Sequence, residues 1–431
     1  MAKKGEIAGA VDFGSRNVRV LIARRGSDGA VQIIGHGTAP GRGCVSQGVI
    51  QDLNAAQVAF KRALAAAEKE AGARAPSLFC GINGKNVETF LREGHVKIDQ
   101  NTVELRHLEE ALDIASRDIL APGKRVLSSI TSQEWYVDDL RVGDPVGIRG
   151  SVLKARVHFA QLPSVIEDNI LSCIESQERE LADVVYMPLA AALGCLTPED
   201  MELGVAVIDM GRTTTGVAVY RDRRIMATNS FDWGSFHITR DVAAGLQVSF
   251  EEAVELITEY GISQRLIQAE GQDDGDEEAP DSAPEDKHST NIKLKSAVHG
   301  APSIVHRSQL DEIVFERSRE LLVKIRQHLY SRGLAKHLVR GVVLTGGTAE
   351  IRNLAALAEA VFEVPARVGL PDGIDVLPQP VNTPEFAPAA GIIRHGFEYY
   401  AAVRSGRIEV RRSPLGSLLH RLGGFLRRYF F

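Results

Sequence analysis

"AVDFGSRNVRVLIAR" occupies residues 10–24 and "VIDMGRTTTGVAVYR" occupies 207–221, and the two align without a gap. Each is a strand-like apolar run, an Asp-Xaa-Gly turn with small polar residues, and a second β-prone run, the pattern of a hairpin. Asp12 meets Asp209, Gly14 meets Gly211 and Arg24 meets Arg221. A repeat at this separation lies far beyond any solenoid period, so it predicts two related halves facing one another.

The turns carry a specific chemistry. Glycine in a tight turn lets backbone N–H groups approach a phosphate, and neighbouring hydroxyls add donors. Ser15 in the first turn, with Arg16 and Asn17 beside it, and Thr213, Thr214 and Thr215 in the second fit that role. One aspartate on each hairpin, Asp12 and Asp209, can hold the waters of a Mg²⁺ ion between the phosphates, because Mg²⁺ keeps much of its hydration shell. A single such turn is more often only a turn. A third segment, "VVLTGGTAEI" (342–351), delivers Gly346, Gly347 and Thr348 from a buried strand to the start of a helix. That placement suits an anion or a close-packed nucleoside, though alone it is also an ordinary strand-to-helix turn. The three together point to a nucleotide site. No Gly-Lys-Ser/Thr phosphate loop occurs, which excludes a Walker-type enzyme, and no residue stands out as a catalytic base.

The chain has 431 residues, 44% hydrophobic and 25% charged, the composition of a folded protein with room for two or more domains. A net charge of -6 argues against nucleic acid as a partner. Four cysteines, at 44, 80, 173 and 195, have no metal or redox spacing, which fits reduced thiols in the cytosol. The N-terminal apolar run is short and broken by Asp12, unlike a signal peptide. No apolar stretch approaches the roughly 20 residues that cross a bilayer.

Helices are predicted at 54–72, 103–120, 163–182, 249–261 and 308–333, with strands in "WYVDD" and at 150–160, so residues 85–165 form a small α+β insert. The stretch 269–291 is acidic and rich in Pro, Ser and Gly with no apolar period, the composition of a solvated loop.

Two phosphate-type hairpins in a duplicated frame followed by "LTGGTAEI" resemble the actin, Hsp70 and sugar-kinase superfamily. The insert narrows the resemblance. "ILAPGKRVLSSITSQEWYVDDLRVGDPVGIRGSVLKARVHF" (119–159) is similar in order and spacing to the distinctive subdomain of the FtsA family of bacterial cell-division actin homologues. So are "MPLAAALGCL" (187–196), "GSFHITRDVAAGL" (234–246), "EYG" (259–261) and "PEFAPAAGIIRHG" (384–396). The resemblance implies an α/β, actin-like fold with duplicated domains and an FtsA-type insert. One half would be 1–84 and 166–205, with 384–400 returning to it, and the other 206–383. It further implies ATP and Mg²⁺ as cofactors, self-association into protofilaments, docking of the tubulin-like FtsZ through about 235–335, contact with other division proteins, and a C-terminal amphipathic anchor.

Several positions depart from the family pattern. Arg212 and Thr213 stand where the second turn usually has glycines, and Arg212 either binds a phosphate bidentately or fills the site. Gly234-Ser235 replaces a Gly-Gly pair that the resemblance places near the nucleotide. Val254 and Ile257 stand where the family commonly carries Glu and Lys near the ribose and adenine. These exchanges remove polar ligands and predict weakened nucleotide binding.

The chain closes on "SPLGSLLHRLGGFLRRYFF" (413–431). On a helix, Leu415, Leu418, Leu419, Leu422, Phe425, Leu426 and Tyr429 form one stripe, followed by Phe430, while Arg421, Arg427 and Arg428 fall opposite. This is the pattern of an interfacial helix at 414–431 behind a basic linker at 401–413. Each buried apolar side chain contributes about 1.5–3 kcal/mol and each arginine near an anionic leaflet about 1 kcal/mol. Gly423 and Gly424 together cost about 2 kcal/mol of helix propensity, so the helix should form on the membrane rather than in water. The competing arrangement is a terminal helix docked on the protein's own core. The leading expectation is thus a peripheral protein on anionic lipids at the cytoplasmic face of the inner membrane, at the division site. The alternatives are a small-metabolite kinase of the same superfamily and a non-polymerising adaptor of the pilus-assembly type.

Overall fold

A computed structural model describes residues 6–41, 43–117, 122–127, 133–270, 291–295 and 304–404. Residues 271–290, most of the acidic stretch, and 405–431, with the amphipathic end and most of the basic linker, lie outside the described residues.

The chain opens with the strands β1 (Glu6–Phe13), β2 (Asn17–Arg25) and β3 (Val31–Pro40). A short hairpin follows, β4 (Val45–Ser46) and β5 (Val49–Ile50), then α1 (Leu53–Ala71) and β6 (Ser77–Ile82). The alanines of α1 make a smooth stripe, Ala56, Ala59, Ala63 and Ala67, that packs closely on the sheet. Asp52 caps its start by accepting from the Ala55 N–H, and Gly72 ends it in the left-handed conformation.

The insert has its own sheet. Strands β7 (Glu88–Lys97), β8 (Lys124–Val126), β9 (Gln133–Val137), β10 (Leu140–Val142) and β11 (Val152–Pro163) pair as β10-β9-β11-β7, with β8 on the end of β11. Helix α2 (Leu105–Ser116) covers it, burying Leu108 and Leu112 with Trp135 and Phe159.

The chain returns through α3 (Ser164–Glu175), β12 (Glu180–Tyr186), α4 (Met187–Cys195) and α5 (Pro198–Leu203). The helix predicted over 163–182 therefore stops early. Glu178 turns the backbone at φ +54, and the apolar end of the run joins the sheet beside β6.

The second half holds β13 (Val205–Met210), β14 (Thr215–Arg221), β15 (Arg224–Phe231), α6 (Ser235–Leu246), α7 (Phe250–Tyr260) and α8 (Gln264–Glu270). It continues with β16 (Asn291–Lys293), β17 (Ile304–His306), α9 (Arg307–Ser331), β18 (Val342–Thr345), α10 (Leu354–Phe362) and β19 (Ala366–Val368). Finally α11 (Ala387–Arg404) comes back to β1 and β2 of the first half, burying Ile392, Ile393 and Phe397. It runs through 401–404, which the sequence assigned to a linker, because the Ala-rich run there propagates the helix.

The duplication is visible in the strand order. The first sheet runs β3-β2-β1-β6-β12 and the second β15-β14-β13-β18-β19. Each is an antiparallel meander of three followed by two parallel neighbours. The two hairpins even share a register: Asp12 pairs with Arg19, and Asp209 with Gly216, the residue aligned to Arg19. Helix α4 joins the halves, its Leu189 and Ala192 in one core with Val207 and Ala218.

Candidate nucleotide site

Both Asp-Xaa-Gly turns open into one cleft between the halves. Its lining includes Asp12, Gly14, Ser15, Arg16, Asp209, Gly211, Arg212, Thr213, Thr214, Gly346, Gly347 and Thr348, all named from the sequence. Asn17, Thr215 and Gly234 are not among the lining residues. Thr215 is fully buried, and its hydroxyl donates to the Trp233 carbonyl. Gly234 precedes α6, whose first N–H groups, from Ser235 and Phe236, go to the carbonyls of Gly211 and Arg212 rather than facing a free anion.

The Gly-Gly-Thr segment differs from expectation. Instead of leading straight into a helix it makes a single 3-10 turn, Gly347–Glu350, and α10 begins only after Asn353. Gly346 has φ +80, and a Cβ there would stand 2.4 Å from Asp209 Oδ1, so glycine is required where the segment presses on the second aspartate. Thr348 Oγ1 donates to the Gly211 carbonyl at 2.8 Å. The segment thus braces the second turn. Val254 and Ile257 are outside the lining, and Ile257 is buried in the second-half core.

The structure adds residues that motif reading missed. Arg19, across the strand pair from Asp12, donates from Nη1 to Asp12 Oδ2 at 2.9 Å. Its other arm pairs with Glu385, just before α11. Asp209 faces Gly216 in the equivalent position, so it has no arginine across its strand pair, and Arg19 acts on it through charge alone, without a hydrogen bond. Burial and the nearby Asp12 push the Asp209 carboxyl up to about 7. Burial also raises Asp12, outweighing the opposing pull of Arg19. Two carboxylates from opposite walls, one of them short of positive charge, suit a hydrated dication held through water. Among the described residues, no cluster of three or more His, Cys, Asp or Glu side chains could ligate a metal directly.

Halves of one strand order closing on paired phosphate-type turns, with a separate α+β insert, define an actin-like protein. A family model described as Cell division protein FtsA matches residues 206–391, and one described as SHS2 domain inserted in FTSA matches 84–160, between them more than half of the chain. The chain belongs to the FtsA family of cell-division proteins. It is 28% identical over 397 residues to Cell division protein FtsA of Pseudomonas aeruginosa, covering 92% of this chain and 90% of that one. Among solved structures, a chain of the PilM–PilN type IV pilus biogenesis complex is similar with a TM-score of 0.61 at 16% identity, covering 90% of this chain and 98% of that chain. MreB 5 of Spiroplasma citri bound to AMPPNP gives a TM-score of 0.54 at 14% identity, covering 94% of this chain and 100% of that chain.

Proposed function

We propose that this chain is a membrane-anchored actin-like scaffold of cell division. It binds ATP between its halves, assembles into protofilaments on anionic inner-leaflet lipid, and tethers FtsZ and other division proteins there. Residues 1–84, 166–205 and 384–400 serve as one half, 206–383 as the other, 85–165 as the insert and 414–431 as the anchor.

The observation that carries the nucleotide reading is the meeting of both Asp-Xaa-Gly turns in one cleft. Backbone N–H groups of the turns, with Ser15 and Arg16, would hold the phosphates. Mg²⁺, held through water by Asp209 and Asp12, would offset the charge of the phosphate chain. The fold it shares with an AMPPNP-bound MreB 5 is compatible with that ligand. Among the described residues no helix is long and apolar enough to cross a membrane. Attachment is assigned to 414–431 on its basic amphipathic sequence pattern.

Titration calorimetry with ATP and Mg²⁺ tests the site. The intact chain should bind, and Asp12→Ala should lose about tenfold or more in affinity, roughly 1.4 kcal/mol. Equal binding by both proteins overturns the assignment. Electron microscopy on lipid monolayers tests assembly, since a non-polymerising adaptor would coat the lipid without filaments.

A further inference from the structure

Three consecutive side chains of the second turn each reach a different segment of the first half. Arg212 Nη1 donates to the Ser15 carbonyl at 3.3 Å. The Gln47 amide donates to Thr213 Oγ1 at 3.0 Å. Asn83 Nδ2 donates to Thr214 Oγ1 at 3.4 Å. Two of these side chains stand where the resemblance expects glycine, so they are the ones by which this chain differs.

Their anchor points are fixed. Gln47 and Gly48, at φ +50 and +75, form the two-residue turn between β4 and β5. A Cβ on Gly48 would stand 1.9 Å from the Asn83 carbonyl oxygen, so this turn is pressed against the end of β6. The Asn83 side chain meets the second half at another point as well, accepting from the Ser230 hydroxyl of β15 at 2.7 Å, and Ser230 shares a 2.7 Å hydrogen bond with the Tyr186 hydroxyl of the first half. On the second-half side, the Arg212 guanidinium lies 5.2 Å over the Phe236 ring, and Phe236 stacks on Phe250.

We propose that Arg212, Thr213 and Thr214 form a ligand-independent clasp that keeps the cleft closed in the empty molecule. A ligand closes a two-domain protein only by favouring the closed state over an open one that is otherwise populated. Side-chain bonds present only in the closed state shift that balance with no ligand bound. Bare glycines at 212 and 213 would leave closure to the ligand. The clasp stands on the hydrogen bonds, and only the choice of ATP as the competing bridge rests on the nucleotide reading above.

Hydrogen exchange on the full chain, empty and with ATP and Mg²⁺, reads this directly, because the Gln47 amide proton is the one Thr213 accepts. In the unaltered chain Gln47 should be protected when empty and change less than about twofold with ATP. The double variant Arg212→Gly/Thr213→Gly should exchange about tenfold faster or more at Gln47 when empty. Thr213→Ser, which keeps the hydroxyl, should retain protection, and Thr213→Ala should lose it, separating the bond from any folding defect. An empty, unaltered chain that exchanges freely at Gln47, or gains about tenfold protection from ATP, overturns the proposal. If the double variant opens and ATP does not restore it, the clasp stands and the nucleotide reading falls.

Discussion

Arg19 and Gly216 occupy one position in the two hairpins and give their aspartates opposite fates. Arg19 is buried between Asp12 and Glu385, whereas Asp209 has only glycine across the pair. Replacing Arg19 by Met would leave two partly buried carboxylates without their cation. Breaking such a pair from one side costs about 3 kcal/mol, which urea unfolding of Arg19→Met against the unaltered chain would measure. Motif reading found Asp12 because Asp-Xaa-Gly marks a turn, but it passed over Arg19. That side chain sits within an ordinary β-prone run, and only the register of the pairing sets it opposite Asp12. Glu385 was less legible still, since it reaches the cleft from a segment remote in the chain. Thr215 was misplaced for a related reason: a threonine beside a turn looks like a donor to phosphate, and the Trp233 carbonyl that claims its hydroxyl is invisible without the fold.

Elements with strong local signals matched their reading. Helix α1 begins at its Asp52 cap and ends at Gly72, and Asp52→Ala should cost about 1 kcal/mol, read as a fall in the urea midpoint. Helix α7 likewise starts after Ser249, which accepts from the Glu252 N–H. Where tertiary pairing competes with helical propensity the reading failed, as at β12 and at the 3-10 turn after β18. Contacts between elements were not legible at all. Strand β15 meets the insert through the Thr228 carbonyl, which accepts from the Thr89 hydroxyl, and through the Thr228 hydroxyl, 3.3 Å from His158 Nε2. Burial alone lowers His158 to about 4. The folded chain keeps it neutral while the unfolded chain binds a proton below about 6.5. Stability therefore falls as the pH drops from about 6.5 toward 4, by at most roughly 1.4 kcal/mol per unit. His158→Gln removes this contribution, so its stability should depend less on pH over that window in parallel thermal unfolding experiments.

For the molecule as a whole, the repeat at 10–24 and 207–221 was the decisive signal, because it carried the topology of both sheets. What an aligned repeat does not carry is the joining of the halves, which depends on α4, the Asn83 network and the return of α11. The anchor assigned to 414–431 has a direct test. Deleting those residues should abolish co-sedimentation with anionic vesicles, and unchanged sedimentation would refute it. Saturating the cleft should also protect the fold: ATP at about 100 times its Kd adds about 2.7 kcal/mol to unfolding, visible as a higher Tm.

The shared hairpin register has a last consequence. Twin scaffolds bearing unlike side chains make the two walls of the cleft inequivalent, an acid hydrogen-bonded to an arginine on one and an acid facing glycine on the other. A molecule that enters between them would meet a polarity, because the backbone framework repeats across the cleft while the side chains it carries do not.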